Sequence, residues 1–346
     1  MELKLLKIKN LQNNIILGSV QVSTRDMNRR WIKMKLVILE PLGISKEKLL
    51  GMAKDTLGDK LDVIYYDTRV EDTETLIERS KDADAVVLSN LPYKKEVIEN
   101  CPNLKMICVA FTGVDHVAMD YCKERNITVC NCAGYSTVAV ADLVFGMVIS
   151  LYRNIIPCDK VTREGGTKNG LVGFELAGKK FGIVGAGAIG VRTAMIAKAF
   201  GCEVYAYSRT KKEIEGVKFV DLDTLMSTCD IVSLHVPLNE NTKGLINKEN
   251  LSLMKKNAIL INTARGPVVD SEALAEALNS EKIAGAGVDV FEVEPPIPTN
   301  HVLFGAKNLI VTPHVAFATA EAFEKRAVIV FDNIEKWLKG TPQNVM

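Results

Sequence analysis

Arg265, Glu294 and His314 are the residues of this 346-residue chain whose types and spacing best fit chemistry. Each follows an apolar, strand-like run. Arg265 lies in Thr263-Ala264-Arg265-Gly266 after AILIN, Glu294 comes shortly after AGAGVDVF, and His314 follows NLIVT and Pro313. An imidazole titrates near neutral pH and can give or take a proton. A carboxylate beside it favours the protonated form and fixes the ring. A guanidinium offers a planar fork of donors to a small carboxylate. Taken singly, the three read as a helix-entry charge, a solvated loop acid and a turn histidine. Their recurrence after three following strand-like runs favours one site, because ligand sites of open α/β sheets lie beyond the carboxyl ends of the strands.

A second chemical signal lies upstream. Gly185-Ala186-Gly187-Ala188-Ile189-Gly190 follows the apolar KKFGIV and opens IGVRTAMIAKAF. Glycines at that spacing permit a tight turn, close approach of a pyrophosphate and close packing of helix on strand. The new helix then turns free N–H groups and its positive dipole end toward the phosphates. The expectation is a dinucleotide, NAD(P), bound by Gly185, Gly187, Ala188, Ile189 and Gly190. An NAD site usually ends the next strand with an acid. Here EVYAY ends in Ser208-Arg209-Thr210, followed by Lys211 and Lys212. No carboxylate stands there to repel a 2′-phosphate, and Arg209 can hold one by charge-assisted hydrogen bonds, so NADP(H) is favoured over NAD(H). The plainer alternative is a solvated loop that accepts either cofactor.

The elements that must position these residues form two series. Strand-like runs at 35–40, 61–66, 85–89, 106–110 and 128–130 alternate with helix-length segments, and a second series follows at 180–184, 203–207, 231–235, 258–262, 284–290 and 308–312. Such alternation implies parallel sheets covered on both faces. Residues 136–154 read as one helix that opens with Ser136 as its capping residue and is stopped by Pro157. Residues 319–338 read as an amphipathic helix closed by Gly340 and Pro342. If the second series is one unit, this last helix must return to the first. The expected fold is α/β with two doubly wound parallel-sheet domains. A Rossmann dinucleotide-binding domain at 135–316 is inserted into a flavodoxin-like substrate domain made of 34–134 and 317–346, after an extension at 1–33.

Charge and composition exclude other classes. Lys+Arg number 43 against 42 Asp+Glu, a net charge of +1, which argues against a general nucleic-acid binder. Residues 1–33 carry +5, leaving −4 for the rest of the chain. That extension lacks the pattern of a secretory signal; it reads either as a mitochondrial presequence, against which its Asn content and two acids count, or as residues ahead of Met34 as the natural start. The longest apolar run, at 138–152, contains Asp142 and falls short of the ~18 residues of a membrane span. Eight cysteines without metal-ligand spacing imply no metal and reduced thiols in a cytoplasmic protein.

With these motifs assembled, the chain resembles the D-isomer-specific 2-hydroxyacid dehydrogenases. The matching residues are GAGAIG at 185–190, HVPLNENTKGLI at 235–246, NTARG at 262–266, GVDVFEVEP at 287–295 and TPHVA at 312–316. The resemblance runs from Met34 to the end. It implies that Arg265, Glu294 and His314 are catalytic, with His314 as acid in reduction and base in the reverse reaction. It also implies cofactor contacts at His235, Val236, Pro237, Thr242, Thr263, Ala264, Asp289 and His314, with His235 on the adenosine side and Asp289 on the nicotinamide side. Thr112 and Gly113, in Phe111-Thr112-Gly113-Val114-Asp115, match the loop whose N–H groups receive the substrate carboxylate together with Arg265. Leu91-Pro92-Tyr93 is a second candidate wall, or a plain β–α turn. His116 and His301 have no motif context.

The implied partner is a small anionic 2-oxo or 2-hydroxy acid, with no nucleic acid and no membrane. The nearest branch is hydroxypyruvate/glyoxylate reductase (glycerate dehydrogenase), and a homodimer through 136–178 is implied by the resemblance. The enzymatic alternative is a 3-phosphoglycerate dehydrogenase. Formate dehydrogenases of this fold carry Gln where Glu294 stands. A dinucleotide-sensing co-repressor keeps the same triad and is the non-enzymatic alternative.

Overall fold

The computed structural model describes residues 33–210 and 212–346; the basic extension up to residue 32, and Lys211, lie outside it. The first sheet contains β1 (Met34–Ile38), β2 (Leu61–Tyr65), β3 (Ala85–Leu88), β4 (Met106–Val109) and β5 (Thr128–Cys130), ordered β2-β1-β3-β4-β5. All neighbours are parallel, and this is the flavodoxin-like order. The connections carry α1 (Lys46–Leu57), α2 (Thr73–Ser80), α3 (Lys95–Glu99) and α4 (Met119–Glu124). Every residue of β3 and β4 is buried, because these central strands are covered on both faces.

The chain then passes to the second sheet through α5 (Thr137–Tyr152) and α6 (Ile155–Arg163). The helix expected at 136–154 is α5, and α6 is a further helix beyond it that the sequence reading did not include. Asn154 takes a left-handed conformation (φ 50°), and the axes bend by 56° there. Pro157 does not end a helix; it lies in the first turn of α6, where a missing N–H costs nothing. Ser136 precedes α5, but its hydroxyl makes no capping bond. Ala139 packs with the core of the first sheet, whereas residues from Val144 to Tyr152 pack with the second, so α5 belongs to both. No single helix among the described residues is long and apolar enough to cross a membrane.

The second sheet holds β6 (Lys180–Val184), β7 (Glu203–Tyr207), β8 (Val217–Phe219), β9 (Ile231–Leu234), β10 (Ile259–Asn262), β11 (Gly285–Val288) and β12 (Leu309–Val311), ordered β12-β11-β10-β9-β6-β7-β8 and parallel throughout. Helices α7 (Ala188–Ala199), α8 (Leu222–Thr228), α9 (Lys248–Leu253) and α10 (Ser271–Asn279) cover it. Strand order reverses between β6 and β9, the place where such sheets open a crevice for a dinucleotide.

The last helix, α11 (Ala320–Leu338), starts where the Thr319 hydroxyl accepts the Ala322 N–H (3.1 Å). It returns to the first sheet, where Val330, Phe331 and Ile334 are fully or almost fully buried. Each contributes about 1.5–3 kcal/mol by burial. The C-terminal residues run antiparallel beside β5, with Asn131 N–H donating to the Asn344 carbonyl and Met346 N–H to the Val129 carbonyl (both 3.0 Å). All eight cysteines are free thiols; Cys158 is partly exposed and the other seven are buried.

Candidate active site

A cleft of about 920 Å³ separates the two sheets, and residues of both line it. Its volume suits a cofactor together with a small substrate. On the side of the second sheet it begins at the glycine loop. Gly185 has φ 107°, and a side chain there would press on the His235 carbonyl at 2.6 Å, so only glycine fits. Gly187 caps α7 with no side-chain partner and with open space where a Cβ would stand, leaving the helix N–H groups facing the cleft. The Thr263 hydroxyl, also in the wall, is buried without a hydrogen-bond partner. Open helix end, bare glycine and orphaned hydroxyl together fit a dinucleotide.

Gly187, Ala188, Ile189, His235, Val236, Pro237, Thr263 and Ala264 line the cleft, as do Thr112, Gly113, Arg265 and His314. Gly185 and Gly190 stand behind it and close the packing of α7 on β6. Ser208, Arg209 and Thr210 follow β7 outside the cleft wall, with Arg209 and Thr210 exposed. Lys212, from the same loop, reaches back and donates to the Ala186 carbonyl of the glycine loop (3.1 Å).

Two expected cofactor contacts have other work in this structure. Asp289 is wholly buried: Oδ1 accepts from Thr312 Oγ1 (2.5 Å) and Val315 N–H (2.9 Å), and Oδ2 from Ala316 N–H (2.9 Å). It ties down the loop that carries His314 instead of lining the cleft. Thr242 donates to the Pro237 carbonyl (2.6 Å) and accepts from Asn239 N–H (2.9 Å), so it shapes the wall loop from behind.

His314 sits at φ 56°, a strained conformation for a bulky residue, held by its own N–H donating to the Asp289 carbonyl (2.8 Å). Nδ1 lies 2.8 Å from Glu294 Oε2, which leaves Nε2 for the cleft. The ring packs edge-on against Phe111 and Phe317, with centroids at 5.7 and 5.3 Å. Burial pushes the Glu294 carboxyl up, but the hydrogen bond and charge of His314 and the charge of Arg265 outweigh it, so its pKa lies below the usual range. Glu294 therefore stays ionised beside the imidazole. His235 and His116 are held neutral. Burial lowers His235 to about 3, and it lowers His116 to about 4 despite the nearby Asp115.

Arg265 is set by Asn262, whose side chain accepts from Ala264 N–H (3.1 Å) and donates to the Arg265 carbonyl (3.0 Å). Its guanidinium crosses the cleft toward the loop after β4. Nη2 lies 3.4 Å from Asp115 Oδ1, and a Cβ on Gly113 would overlap it. Among the described residues no carbonyl accepts from the Thr112 or Gly113 N–H, and both residues line the same cleft as Arg265. That arrangement can receive a carboxylate with a carbonyl oxygen near His314.

Sequence reasoning met Asp115, Asn262 and Lys212 only as members of motifs or loops and gave them no role of their own. The Asn of NTARG was a visible turn signal, but the other two depend on tertiary placement. Leu91 and Tyr93 are core residues without exposure, and the wall near them is formed by Asn90. His301 pairs with Glu292 (2.9 Å) and is not part of the cleft wall.

Comparison with known proteins gives the same architecture a history. Residues 145–316 match the family described as D-isomer specific 2-hydroxyacid dehydrogenase, NAD binding domain. A hydroxypyruvate reductase of Blautia hydrogenotrophica is 36% identical over 323 residues, 90% of this chain and 99% of that protein. The chain belongs to the D-isomer-specific 2-hydroxyacid dehydrogenases. This dehydrogenase is also 41% identical to a glyoxylate reductase of Thermococcus litoralis, over 82% of this chain and 89% of the relative. Among solved structures, an acyclic imino acid reductase in complex with NADPH and D-Arg superposes with a TM-score of 0.83 at 31% identity, covering 90% of this chain and all of the other. The protein is thus an NAD(P)-dependent 2-hydroxyacid dehydrogenase, an oxidoreductase of the CH–OH group, EC 1.1.1.-.

Proposed function

We propose that this dehydrogenase reduces hydroxypyruvate and glyoxylate, with NADPH preferred, and that Arg265, Glu294 and His314 are its catalytic residues. The observation that carries the reading is His314 Nδ1 seated on an ionised Glu294 while the Arg265 guanidinium packs against Gly113, whose N–H, like that of Thr112, has no backbone acceptor among the described residues. A nicotinamide dinucleotide held along the Gly185–Gly190 loop would supply a hydride to the carbonyl carbon. Arg265 and the two amides hold the carboxylate of the 2-oxo acid. His314 gives the proton to the carbonyl oxygen from Nε2, and takes it back in the reverse direction. Glu294 keeps the ring oriented through Nδ1 and stabilises its charged form.

The substrate class rests on relatives named hydroxypyruvate reductase and glyoxylate reductase. The NADPH preference rests on Ser208 in place of an acid, on Arg209, and on Lys212 leaning over the glycine loop. We also read the protein as a homodimer. Ile156 on α6 and Val172 and Phe174 in the loop before β6 are 56%, 82% and 53% exposed, an apolar face that a two-fold partner would cover.

The test is steady-state turnover of glyoxylate, hydroxypyruvate, pyruvate, 2-oxoisocaproate and 3-phosphohydroxypyruvate, each with NADH and NADPH. The reading expects the highest kcat/KM for hydroxypyruvate or glyoxylate with NADPH. Absence of turnover with all five, or a larger kcat/KM with 2-oxoisocaproate or 3-phosphohydroxypyruvate, overturns it.

A further inference from the structure

Glu294 reaches His314 from a segment that its own backbone does not hold. Among the described residues no backbone hydrogen bond joins residues 291–297 to the rest of the protein, and Val293 is 52% exposed. Packing fixes only the start of the segment. The Phe291 ring lies edge-on to His301 and Phe304, with centroids at 5.1 and 5.7 Å, and its backbone rests on Gly266, where any Cβ would overlap the Phe291 carbonyl. The polar anchor is Glu292. Its Oε1 accepts from the Ser271 hydroxyl at the start of α10 (2.5 Å), and its Oε2 lies 2.9 Å from His301 Nε2. His301 Nδ1 accepts from the Leu303 N–H (3.3 Å), so the ring proton sits on Nε2 and donates to Glu292. Burial pushes the Glu292 carboxyl up, but these two bonds outweigh it and keep the group ionised as their acceptor.

We infer that Glu292 is a positioning residue for the proton donor: clamped between Ser271 and His301, it holds the segment so that Glu294 stays against His314 Nδ1. The inference rests on the reading of Glu294 and His314 as catalytic. Glu294 stands two residues beyond the anchor with no backbone bond of its own, so freeing Glu292 lets the Glu294 carboxylate leave the imidazole for water. His314 then loses both the orientation of its ring and the negative charge that favours its protonated form. The grip of Arg265 on a substrate carboxylate does not pass through this segment, so the loss falls on proton transfer and not on binding. The other charged or titratable groups around the pair lie on separate segments: Arg265 after β10, and Asp115 and His116 in the loop after β4. Arg69, engaged by Glu40 at 2.6 Å, adds a weaker charge effect on Glu294.

The test is the pH profile of kcat/KM for reduction of hydroxypyruvate in the double variant Ser271→Ala/His301→Phe. It frees both Glu292 oxygens while keeping the Glu292 charge and an aromatic ring against Phe291, so any shift cannot come from loss of that charge. Reduction needs protonated His314, and wild-type kcat/KM therefore falls on the alkaline side. In the double variant kcat should drop about tenfold with KM within about twofold, and the alkaline limb should move about one pH unit lower. Ser271→Ala alone should move the limb the same way by less, and it decides the matter if the double variant does not fold. Glu294→Gln, which removes the charge beside His314, should give the largest shift. An alkaline limb that stays in its wild-type place in every anchor variant that folds overturns the inference, whatever the fall in kcat or Tm. Absence of wild-type turnover, or an unmoved limb in Glu294→Gln, strikes the reading of Glu294 and His314 on which the inference rests.

Discussion

Replacing Gly113 by alanine tests the facing of two parts that lie 152 residues apart in the chain. Gly113 is not in the left-handed region, so alanine is locally tolerated by the backbone. Its methyl group, however, would overlap Arg265 Nη2 and stand 2.7 Å from Asp115 Oδ1 and 3.1 Å from Arg265 Cζ. The guanidinium is the flexible partner and must retreat by roughly an ångström or more. A displacement of that size at a group that positions substrate costs on the order of a hundredfold in rate. We expect Gly113→Ala to lower kcat/KM for hydroxypyruvate about a hundredfold, or about 2.7 kcal/mol of transition-state stabilisation. Nicotinamide oxidation followed by absorbance gives the rate, and differential scanning fluorimetry gives Tm in the same buffer. Because the loop is partly exposed and Arg265 can swing away, Tm should stay close to wild type. A kcat/KM within threefold of wild type would refute the facing of Gly113 and Arg265, and with it the proposed carboxylate site.

Arg209→Asp should lower the ratio of kcat/KM for NADPH to that for NADH by about ten- to a hundredfold, the worth of a charge-assisted bond to phosphate, and an unchanged ratio would remove Arg209 from cofactor selection. Arg69→Met leaves the buried Glu40 carboxylate unpaired and should cost about 3 kcal/mol in urea unfolding at pH 7. Burial raises the Glu40 pKa even with Arg69 and the Ser89 N–H opposing it. A raised folded-state pKa favours the fold most at low pH and loses that contribution as pH rises, so the deficit of the variant should shrink toward pH 5. Val172→Asp places a charge on the exposed apolar face, and light scattering should show monomer where wild type shows dimer.

Most of the two sheets was legible, because central strands such as β3, β9 and β10 are fully buried and largely apolar runs. Strand β8 was missed: it is three residues long, lies at the sheet edge and exposes Lys218. The end of α5 was placed correctly, but α6 was missed because Pro157 reads as a stop, whereas the chain turns at Asn154 and Pro157 sits in the first turn of α6. At the site, Arg265, Glu294 and His314 were visible from strand ends and resemblance. The role of Asp289 was not. The sequence shows a carboxylate in the right motif but not its three donors, which come from the loop after β12.

The most direct test is the turnover of His314→Ala beside wild type, with hydroxypyruvate and NADPH, while NADPH binding is followed separately by fluorescence. Loss of a positioned proton donor predicts a kcat lower by about a hundred- to ten-thousandfold with NADPH still bound. A variant that binds NADPH and turns over within a few-fold of wild type would contradict the assignment of His314 as the acid, and with it the chemistry built on this cleft.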